Sequence, residues 1–207
     1  MKIEWLGRME YLAGLRIQEE RLADCLQEGE ETVILLEHEP VYTIGRLRDK
    51  SSLRIVEELP HPVFETNRGG QATYHGPGQL IGYPILDLRP RGRDLHSYLR
   101  TLEDLLIDLL KEFGITGNKV REKTGVWVQG RKIASIGVGV RKWVTMHGFA
   151  LNVANDLSGF QNIIPCGLSG VRMTSISTES GAEVSLETVR EKISPHLRHY
   201  LGVKALS

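Results

Sequence analysis

The chain has 207 residues, 41% of them hydrophobic, and carries 26 basic and 26 acidic side chains for a formal net charge of zero. That length and apolar content supply one folding core, and the charge balance excludes a global field that would recruit nucleic acid or an anionic membrane; a charged partner must meet a local patch. Two cysteines, Cys25 and Cys166, lie far apart and form no CxxC pair, which fits a reducing compartment and argues against a disulfide scaffold or a zinc site.

At the N-terminus Glu4, Arg8 and Glu10 interrupt the apolar residues. No signal peptide is expected there, and no run reaches the ~18 apolar residues of a membrane span, so the expectation is a cytoplasmic single domain over 1–207. Ile3 and Trp5 alternate as in a short strand. Residues 9–28 then carry Leu12, Leu15, Leu22 and Leu26 at helical spacing up to Gly29, predicting an amphipathic helix with Cys25 packed on its inner stripe. The short branched runs 32–37 and 41–44 read as strands around the turn His38-Glu39-Pro40, and 63–66 as another.

Residues 68–79 hold four glycines and a proline among an arginine, a histidine and two glutamines. No regular element is expected from that composition: it removes side chains, permits positive φ and supplies donors, as a loop bringing bare backbone close to a ligand would. Residues 80–88 are apolar enough for a buried strand, so the loop joins two strands. Asp94 is a good N-cap for a helix to Phe113 with Leu95, Tyr98, Leu99, Leu102, Leu105, Leu106 and Leu109 inward and Gly114 as terminator. An antiparallel meander follows over 126–129, 132–140 and 143–153, turning at Gln129-Gly130 and at Val140-Arg141-Lys142. Ser185 opens a C-terminal helix, and Ser194-Pro195 is expected to start a new helical segment because proline is disfavoured in a helix interior. The class is α/β (α+β) with a substantial mixed sheet and covering helices. No GxGxxG or GxxxxGK[ST] is present, so dinucleotide and P-loop chemistry have no signal.

Cys166 stands in Ile163-Ile164-Pro165-Cys166-Gly167, between apolar residues and a glycine turn. There the sulfur would be accessible and the following amides would face an oxyanion, although free cysteines are commonly inert buried hydrophobes. A nucleophilic thiol needs a cation or base beside it, and Lys132, His75 and His147 are the candidates. His75 makes the ordinary Cys/His pair; Lys132, just past a hairpin turn, also reads as a solvated strand end. His196 and His199 have no third ligand nearby, so no metal site is expected.

Three segments together, RGGQATYHGPGQLIGYPILDL at 68–88, RKIASIGVGVRKWVTMHGFALNV at 131–153 and IIPCG at 163–167, resemble the lipoyl(octanoyl) transferases. The resemblance implies the fold of lipoate and biotin protein ligases, a mixed sheet plus a smaller sheet with flanking helices. It implies an enzyme that takes octanoyl (or lipoyl) from the phosphopantetheine of acyl carrier protein through an acyl-cysteine thioester. The acceptors would be a lysine of lipoyl domains in 2-oxoacid dehydrogenase acyltransferase subunits and in the glycine-cleavage carrier protein. Neither ATP nor another cofactor is implied, nor any metal, nucleic acid or membrane partner. Carried over by position, the acyl-thioester cysteine is Cys166 and the lysine that tunes it is Lys132, which leaves His75 as a pocket residue. Substrate contacts fall on Arg68, Gly69, Gly70, Gln71, Ala72, Thr73, Tyr74 and His75, on Ser135, Ile136 and Gly137, and on Gly148, Phe149 and Ala150. An ATP-dependent lipoate or biotin protein ligase is the nearest alternative, because the fold is shared and Gly45-Arg46-Leu47-Arg48 has some likeness to a ligase nucleotide loop.

Overall fold

The computed structural model describes residues 1–46, 52–53, 59–164 and 170–202. Among them, β1 (Lys2–Met9), β2 (Thr32–His38), β6 (Gln79–Ile85), β7 (Asn118–Val120), β8 (Lys123–Val128), β9 (Arg131–Arg141), β10 (Val144–Asn152) and β11 (Arg172–Met173) form one sheet. Its order is β1-β2-β6-β10-β9-β8-β7, with β11 beside β9. The pairs β1–β2 and β9–β11 are parallel and the rest antiparallel. A second, smaller sheet is made of β4 (Val63–Glu65), β3 (Val41–Ile44) and β5 (Thr73–His75) in that order. The expected mixed sheet with a smaller sheet and flanking helices is therefore present.

Strand alternation divides the large sheet into two apolar faces. Val33, Leu35, Leu80, Phe149 and Leu151 pack with α2 (Leu95–Lys111) and α4 (Leu186–Leu201). Ile34, Leu36, Ile81, Tyr83 and Ala150 face α1 (Tyr11–Glu28). Helix α2 starts and faces inward as its sequence predicts but ends at Lys111, short of the expected Phe113: the Asp94 carboxylate accepts the Ser97 N–H, and Tyr98, Leu102, Leu105, Leu106 and Leu109 make one buried stripe. A short helix α3 (Ile176–Ser180) precedes α4. No described helix is long and apolar enough to cross a membrane.

Several local expectations change. In α1 the buried stripe is Tyr11, Gly14, Gln18, Leu22 and Cys25, whereas Leu12 is 45% exposed. A count of leucines misplaces this face because a glycine and a glutamine are part of it. Gly14 is there for His38, whose ring would meet a Cβ at 2.8 Å. Strands β2 and β3 do not pair around their turn but diverge into different sheets. The glycine-rich segment is not wholly loop, since Thr73–His75 is a strand held by β3. The meander has a strand the sequence reading omits, β7, and its second turn is Lys142-Trp143, flanked by the pair Arg141 and Val144, not Val140-Arg141-Lys142. Both turn residues have positive φ, 50° and 67°, as Gln129-Gly130 do at 47° and 80°, so two type I′ turns shape the meander. Helix α4 runs through Pro195 without a break. Val189, Ile193, Leu197 and Leu201 are buried at four-residue spacing on both sides of it, and that packing outweighs the one hydrogen bond proline removes.

Candidate active site

The two sheets meet at a cleft of about 480 Å³, part of it open to solvent. Its floor comes from the meander, where Ser135 pairs with Ala150 and Gly137 with Gly148. These residues are small for steric reasons. A Cβ on Gly137 would lie 2.8 Å from Gly69 O, and one on Gly148 would lie 2.3 Å from Gly82 O, so larger residues would push the walls apart. Phe149 and Ile136 also line the cleft but belong to the core on the α2 face. The Phe149 ring occupies the space a side chain on Gly82 would need.

The glycine-rich segment makes the opposite wall. Arg68 is a clip in this wall: Nη2 donates to Thr43 O and Oγ1, both at 2.8 Å, Nε to Thr43 Oγ1 at 3.3 Å and Nη1 to Gly69 O at 2.9 Å. Gly69 N–H donates to Val138 O at 2.9 Å and ties the wall to β9. Strand β5 then presents Thr73 and His75 on one face, with Thr43 opposite Thr73. Tyr74 points the other way, among Tyr42, His61 and Phe160, so of the expected contact residues Gln71, Ala72 and Tyr74 do not line the cleft. Four residues that do line it are absent from the sequence reading of the contacts: Tyr11, Thr43, Tyr83 and His147.

Three buried histidines surround this cleft in neutral form. His75 Nδ1 donates to Gln79 Oε1 at 2.8 Å. Gln79 is oriented by its Nε2, which donates to Tyr74 O and Asn152 Oδ1. His75 Nε2 therefore accepts from the Thr43 hydroxyl at 3.5 Å, since Arg68 only donates to that oxygen. Burial, with His38 and Arg68 nearby, pushes His75 down to about 3. Burial likewise lowers His38 to about 4, and burial with the Arg68 charge lowers His147 to about 4. His38 Nδ1 donates to Met9 O and its Nε2 accepts from Tyr83 Oη at 2.8 Å. His147 has a left-handed backbone, φ 56°, and its N–H donates to Gln18 Oε1 at 2.8 Å. A non-glycine residue there costs about 1–2 kcal/mol, supplied by the elements packed around it. A histidine pushed this low is a poor base near neutral pH, so a Cys/His arrangement through His75 has little support.

Lys132 lies on β9, three residues before Ser135, and does not line the cleft. It is not a solvated strand end, because only 1% of it is exposed. Nζ donates to Thr124 O at 3.0 Å and stands 5.3 Å from the Trp127 ring centroid. Met173 of β11 pairs with Lys132, Thr174 N–H donates to Lys132 O at 3.0 Å, and Asn152 Nδ2 donates to Thr174 O at 2.9 Å. The strand carrying Lys132 is thereby linked through Asn152 and Gln79 to His75. Cys166 lies outside the described residues. Before it, Ile163 bridges Leu53 and Ile164 N–H donates to Ser52 O at 2.7 Å. The other cysteine, Cys25, is 1% exposed in the core under α1, and burial raises its thiol to about 11. Among the described residues no cluster of histidine, cysteine or acidic side chains could hold a metal ion.

Comparison with known proteins places the chain in a family. Residues 10–198 match the Lipoyl protein ligase A/B catalytic domain. The octanoyltransferase of Geobacter sulfurreducens is 51% identical over 94% of this chain and 82% of its own length. The octanoyltransferase of Geobacter metallireducens is also 51% identical, over 94% of this chain and 90% of its own. Among solved structures, a bipartite lipoate protein ligase from Thermoplasma acidophilum superposes with a TM-score of 0.77 at 16% identity, covering 98% of this chain and 84% of that one. The Aquifex aeolicus biotin protein ligase gives 0.61 at 14% identity over 97% and 70%. At such identities these two show the fold alone, whereas the family match and the half-identical relatives reach further: the chain belongs to the lipoyl protein ligase A/B catalytic domain family and, within it, to the octanoyltransferases.

Proposed function

We propose that this protein takes octanoyl from the phosphopantetheine thioester of acyl carrier protein and places it on a lysine of lipoyl domains in the cytoplasm, with Cys166 as nucleophile and Lys132 as its partner. The observation that carries the reading is Lys132 itself. A fully buried lysine is rare, and this one has a glycine opposite its side chain and a strand fastened along its backbone. Cys25 is unsuited to the chemistry, being buried with a raised thiol, which leaves Cys166 of the two cysteines.

The proton balance closes on these two groups. With Lys132 as ammonium and Cys166 as thiolate, sulfur attacks the thioester carbonyl, the bond to the carrier sulfur breaks, and the Lys132 proton goes to the departing thiolate. This exchange is near-isoenergetic and calls for no ATP. Lys132, now neutral, accepts the proton of the acceptor amine as that amine attacks acyl-Cys166; the Cys166 thiolate leaves, the amide forms and the ion pair returns. In this reading the alkyl chain lies along the floor of Ser135, Gly137, Gly148 and Ala150, each buried methylene contributing about 0.8 kcal/mol.

Incubation with octanoyl carrier protein and no ATP, followed by intact mass measurement, tests this. One octanoyl adduct is expected, retained in Cys25→Ala and absent in Cys166→Ala, with Lys132→Ala forming it far more slowly. No adduct together with ATP-dependent transfer of free octanoate would overturn the reading in favour of a ligase.

A further inference from the structure

Among the described residues, four buried side-chain polar atoms have no hydrogen-bond partner: Gln18 Nε2, Thr73 Oγ1, Tyr98 Oη and Asn155 Oδ1. Of the four residues, Thr73 is the one that lines the cleft. It is only 6% exposed, so bulk water does not solvate its hydroxyl freely. Its place on β5 puts it on the His75 face, directly across from Thr43.

The polar atoms on that face are already engaged. Thr43 Oγ1 accepts from Nε and Nη2 of Arg68 and donates toward His75 Nε2. His75 Nδ1 is given to Gln79. A buried hydroxyl without a partner is unfavourable, and here the loss can be relieved from the cleft side, by whatever occupies it. An octanoyl group brings a single hydrogen-bonding oxygen, its carbonyl.

We propose that the Thr73 hydroxyl donates to the carbonyl oxygen of the bound acyl group, which makes Thr73 a catalytic residue of the transfer; the inference rests on the acyl-transfer reading above. The bond fixes the carbonyl against β5 while the alkyl chain lies along the Ser135, Gly137, Gly148 and Ala150 floor. As sulfur or amine adds, charge collects on the same oxygen and the bond strengthens, so it favours the tetrahedral state over the bound ester.

Two unreactive pantetheine probes test this by calorimetry. One carries octanoyl as an amide in place of the thioester and keeps the carbonyl; the other is S-octyl pantetheine, which has none. Thr73→Val keeps the β-branched shape in a strand, and Thr73→Ser keeps the hydroxyl. Thr73→Val is expected to weaken the amide probe about tenfold and leave the S-octyl probe within about twofold, with Thr73→Ser close to wild type. In the acyl-enzyme made with ¹³C-carbonyl octanoyl, Thr73→Val is expected to raise the carbonyl stretching frequency. Equal losses for both probes would show packing alone and overturn the inference, as would no loss at all; in either case the acyl-transfer reading stands. Failure of the wild-type protein to bind either probe would overturn the inference and the acyl cleft together.

Discussion

A Cβ on Gly125 would stand 2.7 Å from Lys132 Cε and 3.2 Å from its Nζ, so the missing side chain of one residue is the space the other occupies. The same Cβ would lie 2.5 Å from Ala134 O, and Gly125 has φ 128°. Gly125→Ala is therefore expected to cost about 1–3 kcal/mol of stability. If Lys132 acts as proposed, the substitution is also expected to slow octanoyl transfer at least tenfold by displacing that side chain. Urea denaturation and single-turnover transfer, read side by side, check it; a stable variant with wild-type transfer would show that Lys132 need not stay where it is.

Glu103 holds Gly125 from the α2 side. Its carboxylate is fully buried, accepts the Gly125 N–H at 3.0 Å and pairs with Arg100 at 2.6 Å. Removing it in Glu103→Ala leaves a buried N–H without its acceptor, a loss of about 1–3 kcal/mol. Glu103→Gln keeps one acceptor oxygen and is expected to lose less. The order wild type, Gln, Ala in urea midpoint is the check, and equal midpoints for the two variants would refute the role of the hydrogen bond.

What the sequence made legible was local. Asp94 and Ser185 cap helices because each carries its own acceptor three residues from the N–H it receives. Residues 135–137 and 148–150 meet on one cleft because neighbours on paired strands stay together, and of the run 68–75 Arg68, Gly69, Gly70, Thr73 and His75 join them. Tyr11, Thr43 and Tyr83 were not legible, and His147 was legible as a candidate base but not as a wall of the cleft. They reach the cleft from α1, β3, β6 and β10, and only the packing of α1 and the smaller sheet against the large one brings them side by side. Lys132 was illegible in another way, since nothing in its neighbours distinguishes a buried lysine from a solvated one.

Pro195 shows tertiary packing overriding a sound local rule. The ring removes one N–H inside α4, while Ser194 Oγ donates to Arg190 O at 3.2 Å. Pro195→Ala restores the backbone bond and removes the steric conflict, against some entropy regained by the unfolded chain. A net gain of about 1–2 kcal/mol is expected. A higher thermal midpoint with unchanged transfer is the outcome to look for; a lower one would mean that the helix is built around the proline.

The cleft histidines His75 and His147 and the neighbouring His38 weaken the fold in acid. Each is neutral when buried, with His38 and His147 lowered from 6.5 to about 4 and His75 to about 3. Below the unfolded value the denatured chain binds protons that the native chain refuses, so stability falls as pH falls. Their contribution is complete above about pH 6.5 and is lost progressively toward about pH 4 and then 3. For His38 alone the full span is on the order of 3 kcal/mol. Urea midpoints at about pH 7.5 and about pH 5 are expected to differ accordingly, the lower pH being the weaker. His147→Asn removes one titrating ring while tolerating the left-handed backbone, and is expected to narrow that difference. A midpoint that does not change across this interval would mean that these rings take up protons in the native state as readily as in the unfolded chain, and at the lower pH His75 Nε2 and His38 Nε2 could no longer accept from Thr43 and Tyr83.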